Sequence, residues 1–351
     1  MSFKSTLFRS ALLSLHKSGL HWLAPASLSG VGVVFMLHRV RPAEETGGFA
    51  PNAILEITPE YLNAVLTSVR ALDYDFVSLD EMQRRLKERR FGRKFAAFTL
   101  DDGYRDNLDH AAPIFAQHRA PFTVYVSSGM PDGTAELWWL ALEEIIRGTD
   151  RFSAQIGEFS TDMPTETAEQ KQAAFDTVYW PLRNLDEHAL HAAIRTLCGR
   201  YGVNLTKITA DCALSWQGVR DLDAHAYGSI GAHTVDHYAL SKLTEQEARD
   251  EIVRGAARIK EETGDWPRHL AYPFGDGGSA GRREFELARF LGFDTATTTR
   301  KGFVTEAHAT DPFAIPRLSL NGDYQDLRML EVLMSGVPFA LARVIPSLEV
   351  A

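Results

Sequence analysis

The sequence predicts an α/β fold, a distorted (β/α)7-type barrel with a helical insertion. Three observations point there. Apolar runs of the kind found in buried strands alternate with helix signatures, and polar groups stand where several of those runs stop. The alternation breaks once, over about residues 130–225, into a polar, helical stretch. A flat doubly wound sheet is the rival arrangement. Either one gathers functional groups at the carboxyl ends of its strands.

The elements follow in chain order. Residues 1–28 read as an amphipathic helix that packs on the domain or touches a membrane surface. Residues 29–351 then form one domain. Val31 to Leu37 is an unbroken β-rich run ending at His38. Ile57 as staple, Thr58 as N-cap and Pro59 in the first turn open a helix whose Leu62, Val65, Leu66, Val69 and Leu72 recur at helical spacing. Asp75 to Leu79 reads as a short strand and residues 80–90 as a charged helix. Phe95 to Leu100 is a second buried strand, ending in Asp101-Asp102-Gly103. A helix over about 105–118 leads to the strand Phe122 to Val126.

The insertion, with Trp138-Trp139 and no convincing strand, separates this half from the next. Tyr227 to Ala232 is a strand ending at His233. Leu243, Thr244 and Glu247 supply the staple and capping box of a helix that stops at Gly264. His269 to Tyr272 runs into Pro273-Phe274-Gly275. A helix over about 281–291, a Thr-rich strand near 294–299, a strand from Phe313 to Leu318 and a helix over about 325–335 complete the chain.

Composition narrows the function. With 351 residues and 45% hydrophobic content, the chain can bury a large core. A net charge of -9 argues against a nucleic-acid partner, which needs a basic face. The only two cysteines, Cys198 and Cys212, make neither a disulfide framework nor a zinc ribbon and suit a reducing compartment. The apolar run Ala11 to Leu15 is cut by His16 and Lys17, short of a signal-peptide core, and no stretch approaches a membrane span. The expected location is cytoplasmic, with membrane association through the N-terminal helix; the oligomeric state is left open.

Asp101-Asp102 is the sharpest chemical feature. Adjacent carboxylates at the end of a buried strand repel unless a cation or proton separates them. Asp-Gly also marks turns and Asp caps helices, so the pair has a purely structural reading too. His233 and His237 stand at i and i+4, a spacing that places both imidazoles on one face of a helical turn. Together with Asp102 they would make a two-histidine, one-carboxylate set with room for water and substrate on a metal; the other reading of such a histidine pair is an incidental spacing.

These residues carry a resemblance. Phe98-Thr99-Leu100-Asp101-Asp102-Gly103, then His233-Thr234-x-x-His237, then Tyr272-Pro273-Phe274-Gly275, are similar to the first three motifs of the polysaccharide deacetylases of carbohydrate esterase family 4. The strand end His38-Arg39 resembles that of the branch with poly-N-acetylglucosamine deacetylases. The resemblance implies a metal-dependent hydrolase acting on an N-acetylated glycan. Asp102, His233 and His237 would hold a divalent metal, Zn2+ first, with Co2+, Ni2+, Fe2+ or Mn2+ as alternatives. Asp101 would be the general base, the backbone N–H near Phe274 the oxyanion donor, and Tyr272 and Pro273 substrate contacts.

Two departures from the family pattern matter. Ala271 stands where the third motif commonly has an Arg that holds the base, and Arg317 from the last strand is the candidate substitute, with a surface or structural ion pair as its other reading. The Leu-x-His acid motif is absent, so His38 is the candidate proton donor, with a satisfied core histidine as its other reading. The alternatives to N-deacetylation are O-deacetylation or deformylation of a related sugar, or a non-catalytic carbohydrate-binding role on the same fold.

Overall fold

The computed structural model describes residues 3–344. Eight parallel strands share one sheet, and seven of them close into a barrel because the first also pairs with the second. The barrel strands are, in order, Gly32–Leu37, Phe95–Leu100, Phe122–Val126, Ile230–Ala232, His269–Ala271, Thr295–Lys301 and Ile315–Ser319. Each pairs with its sequence neighbour, and the seventh closes on the first through Phe35 opposite Leu318. A register shift between Thr297 and Lys301 distorts the sixth and seventh strands.

The expected strand Asp75 to Leu79 shrinks to Asp75–Phe76 and hangs outside the ring on the second strand. It stops there because Ser78 caps the next helix, Leu79–Lys87, accepting from the Glu81 amide. The other cap predictions hold. Thr58 accepts from Tyr61 at the head of Pro59–Ala71, and Thr244 and Glu247 form the capping box of Glu245–Thr263.

Alternation along the strands builds the interior. Phe95, Ala97, Thr99 and Asp101 lie on one face of the second strand and its end, and Ile315 and Arg317 share one face of the seventh. Between them sits fully buried Tyr125. It fits because Gly231 lies against it: a Cβ there would come within 2.4 Å of the ring. The alternate set, Val33, Phe35, Leu37, Ala96, Phe98 and Leu100, packs outward against the helices.

The insertion leaves the third strand and returns to the fourth. It is not wholly helical: Arg151–Ile156 and Phe159–Pro164 form an antiparallel hairpin. Phe152, Ala154 and Ile156 face inward at a period of two, and Gly157 turns the chain at φ +56°. The hairpin and the helices Trp138–Arg147, Ala168–Arg183 and Glu187–Tyr201 enclose a second core around Trp138, Phe175, Val178, Leu190 and Ile194. Cys198 and Cys212 are buried free thiols.

The N-terminal helix covers only Phe3–Ser18. Gly19 ends it in the left-handed region, and two short turns, Leu20–Leu23 and Ala26–Ser29, follow. The helix docks through buried Leu12, through Phe8 against Tyr324, and through the Arg9 guanidinium, which donates to the Asp323 carbonyl at 2.7 Å. Among the described residues no helix is long and apolar enough to cross a membrane.

Candidate active site

The carboxyl ends of the barrel strands open into a cavity of about 230 Å³, lined by His38, Asp101, Asp102, His233, His237, Phe274 and Thr299. Asn52 and Leu55, and Trp139 and Tyr179 from the insertion, form its remaining walls.

Asp102 follows the second strand with φ +76°, a costly backbone state for a residue with a Cβ. That turn separates the two carboxylates, leaving Asp101 inside the barrel and Asp102 facing the histidines. Asp102 Oδ1 lies 3.3 Å from His233 Nε2 and 3.2 Å from His237 Nε2. It is buried and makes no hydrogen bond. The Nδ1 of His233 lies 2.8 Å from the Ala271 carbonyl, which can only accept, so Nδ1 carries the proton and Nε2 keeps its lone pair. An orphaned carboxylate oxygen facing two imidazole nitrogens fits a cation among them.

The two histidines do not sit on a helical turn as their spacing suggested. Residues 233–237 are a loop in which Thr234 (φ +67°) and His237 (φ +59°) are both left-handed. The loop is held from two sides. Its carbonyls at His233, Thr234 and Val235 accept from the Ser127 hydroxyl and the Ser128 and Gly129 amides. Its N–H groups at Val235 and Asp236 donate to Glu251 Oε2 at 3.1 and 3.0 Å. Glu251 reaches them because Gly255, one turn on, lets its helix lie against Thr234; a Cβ at Gly255 would meet the Thr234 carbonyl at 2.5 Å.

Replacing Glu251 with Ala should leave two amide donors unpaired and loosen the ligand loop, weakening metal affinity about 10–100-fold. Chelator-competition titration measures this. Affinity equal to wild type would show that the backbone alone holds the loop.

Asp101 is 2% exposed and Arg317 1%. Arg317 donates to both carboxylate oxygens, at 2.7 and 2.6 Å, to Thr99 Oγ1 at 3.0 Å and to the Thr298 carbonyl at 2.9 Å. Burial pushes the Asp101 carboxyl up. The Arg317 charge and its paired donors, aided by His233, outweigh that and hold it below its ordinary value. The place left empty by Ala271 is thus filled from the seventh strand. His38 lines the cavity, and among the described residues no group hydrogen-bonds its imidazole.

Phe274 adopts φ +59°, its carbonyl accepts from Thr299 Oγ1, and its N–H has no acceptor among the described residues. The Arg183 guanidinium lies 3.9 Å over its ring and also donates to Ser279, so the insertion holds this loop in place. Tyr272 and Pro273 do not line the cavity, which corrects the expectation of substrate contacts there. Tyr272 is fully buried and its hydroxyl donates to the Phe313 carbonyl at 3.0 Å; Pro273 is buried as well.

The family model described as polysaccharide deacetylase matches residues 88–296. The chain belongs to the polysaccharide deacetylase family. It is therefore a hydrolase acting on acetyl groups of sugars, with a glycan as substrate. His38 and Arg317 lie outside the matched stretch; His38 lines the cavity, and Arg317 reaches it only through Asp101.

Among solved structures the chain resembles the Streptococcus pyogenes deacetylase PplD in complex with acetate (16% identity, 86% of this chain and 97% of that one, TM-score 0.56). It also resembles IcaB from Ammonifex degensii (19% identity, 87% and 97%, TM-score 0.54). A third is a de-N-acetylase from Aggregatibacter actinomycetemcomitans (13% identity, 86% and 99%, TM-score 0.54). At these identities the likeness concerns the fold. No curated protein sequence matches the chain.

Trp139 and Glu251 were less legible in the sequence than the other residues around the cavity. Trp138 and Trp139 read first as packing, with a sugar-stacking platform as the other reading; Trp139 is buried in the second core and also walls the cavity, its ring 5.1 Å from that of His237. Glu251 left a legible signal. It falls on the buried stripe of its helix, with Ala248, Ile252, Gly255, Ala256 and Ile259, where a carboxylate needs a reason.

Proposed function

We propose that this polysaccharide deacetylase removes N-acetyl groups from amino sugars in an oligomer, a polymer or a lipid-linked precursor, and that it requires a divalent metal, zinc first. The observation that carries the reading is a single one: a carboxylate paired to a buried arginine stands beside an unsatisfied Asp-His-His set in one small cavity. Asp102, His233 and His237 would hold the ion. When bound, it supplies Lewis-acid chemistry, polarising the amide carbonyl and acidifying water.

The chain's own groups do the rest. Asp101, kept ionised by Arg317, takes the proton from the attacking water. The Phe274 N–H donates to the oxygen that becomes negative as the carbonyl carbon turns tetrahedral. His38, without another partner, delivers a proton to the leaving amine. At about 230 Å³ the cavity is below the roughly 300–1,000 Å³ of whole-ligand pockets, so it takes the acyl end and leaves the rest of the glycan outside.

For location, we read the chain as cytoplasmic and resting on a membrane surface, supported by exposed Leu20, Trp22 and Leu23 beside the N-terminal helix.

Acetate release from chitooligosaccharides, before and after chelation, tests the function. Acetate that stops with metal removal and returns with zinc supports it. Full metal loading with release only from O-acetyl or N-formyl sugars would move the reaction to that acyl group. Release that survives chelation would remove the metal from the reading.

A further inference from the structure

A second group of ligand-type atoms lies well away from the catalytic cavity, where the N-terminal segment meets the helix Leu327–Met334. His16, His21 and Glu331 each offer one atom, and these atoms lie within 4.8 Å of one another. His16 lies in the last turn of the N-terminal helix, His21 sits in the turn after it, and Glu331 comes from the far end of the sequence. We propose that these three residues form a second, structural metal site that takes zinc or a similar divalent transition ion and clips the N-terminal segment to the C-terminal helix.

The case rests on His21. It is only 3% exposed, and its Nε2 has no hydrogen-bond partner. Its Nδ1 lies 3.3 Å from the Leu15 carbonyl. That carbonyl can only accept, so the proton sits on Nδ1 and the buried Nε2 keeps a bare lone pair. His233 at the first site is arranged in the same way, with Nδ1 on a carbonyl and Nε2 free to bind. A buried nitrogen without a partner is costly in a folded chain, and a ligand removes that cost.

The other two groups complete the set. His16 Nε2 lies 3.1 Å from Glu331 Oε2, and each side chain is about one-third exposed, so an ion can enter and a water can fill its fourth position. The imidazole rings of His16 and His21 have centroids 5.2 Å apart, close to the 5.0 Å of His233 and His237. Two imidazoles sharing one tetrahedral ion at Zn–N distances of about 2.1 Å hold their ring centres roughly 5 Å apart. Two nitrogens and one carboxylate oxygen suit zinc rather than calcium or magnesium, which prefer all-oxygen sets. Lys94, the nearby cation of the adjoining cavity, is already engaged, donating to the Ala26 carbonyl and the Ser29 hydroxyl.

The test uses the full-length protein, stripped with chelator and dialysed against zinc, with bound metal measured per chain and folding followed by circular dichroism. Changing His21→Ala, or the more exposed His16→Ala, should lower bound zinc by about one equivalent while the chain stays folded. The pair Asp102→Ala/His233→Ala should lose a different equivalent and keep this one. Zinc should also raise the melting temperature of the Asp102→Ala/His233→Ala protein, and that rise should vanish when His21→Ala is added. Bound zinc equal to wild type in both His21→Ala and His16→Ala would overturn the proposal. So would a zinc-insensitive melting temperature in the Asp102→Ala/His233→Ala protein. Acetate release plays no part in this readout, so the outcome is independent of the proposed reaction.

Discussion

Asp101→Asn should cut kcat by about 10²–10⁴-fold while leaving the metal in place. The substitution keeps the size of the side chain and one oxygen for Arg317, but it turns an amide NH2 toward the second Arg317 donor and removes the counter-charge, so some stability is lost as well. It removes the basicity. The atoms that would hold the ion belong to Asp102, His233 and His237, and Asp101 contributes none of them. Metal analysis and single-turnover kinetics on the same preparation separate the two effects. Loss of metal would make Asp101 a ligand. An unchanged kcat would move the base elsewhere in the cavity, with His38 the remaining group in reach of substrate.

Arg317→Met should be costlier for the fold. Both members of the pair are fully buried, so removing the arginine strands a carboxylate in the barrel interior. Breaking a buried pair in this way costs about 3–5 kcal/mol. For a chain of this size that lowers Tm by about 4–7 °C. Activity should fall with it, because Asp101 loses the donors that aim it and keep it ionised. Combining Asp101→Asn with Arg317→Met removes the stranded charge and should recover part of the stability; a strictly additive result would refute the coupling.

The pH dependence has a definite sign. The folded-state value of Asp101 lies below its ordinary one, so the pair's stabilisation is present above the unfolded carboxylate value. It is lost as pH falls through the folded value. Acid denaturation curves of wild type and Arg317→Met should therefore converge toward low pH. Parallel curves down to that range would show the pair to be energetically silent.

Much of the barrel was legible because its strands are buried on both faces. Runs such as Val33 to Leu37 and Phe95 to Leu100 lack polar interruptions, and the caps at Thr58 and Thr244 are local chemistry that distant contacts do not override. The hairpin at 151–164 escaped notice because its alternation is carried by three residues, Phe152, Ala154 and Ile156, amid helical neighbours. The His233–His237 spacing is compatible with a helix, and nothing local announces that Thr234 and His237 are left-handed; Glu251 and Gly255, on another element, make that loop possible. Tyr272 belongs to a motif that lines a cavity, yet the period of the strand turns its ring to the opposite side, toward Phe313. Trp139 stayed between two readings, since a wall of a cavity and a wall of a core use the same residues.

The Arg317–Asp101 pair also bears on how the chain comes to be finished. The two partners are 216 residues apart, and the seventh strand that carries Arg317 also closes the ring by pairing with the first. A nascent chain that has made everything but this strand has an open sheet edge and a carboxylate with no counter-charge inside it. Such a chain has reason to stay loose rather than settle into a closed but incomplete barrel. Arrival of the last strand supplies the missing edge and the missing charge together, so the Asp101 carboxylate gains its partner only in a molecule whose synthesis has passed that point.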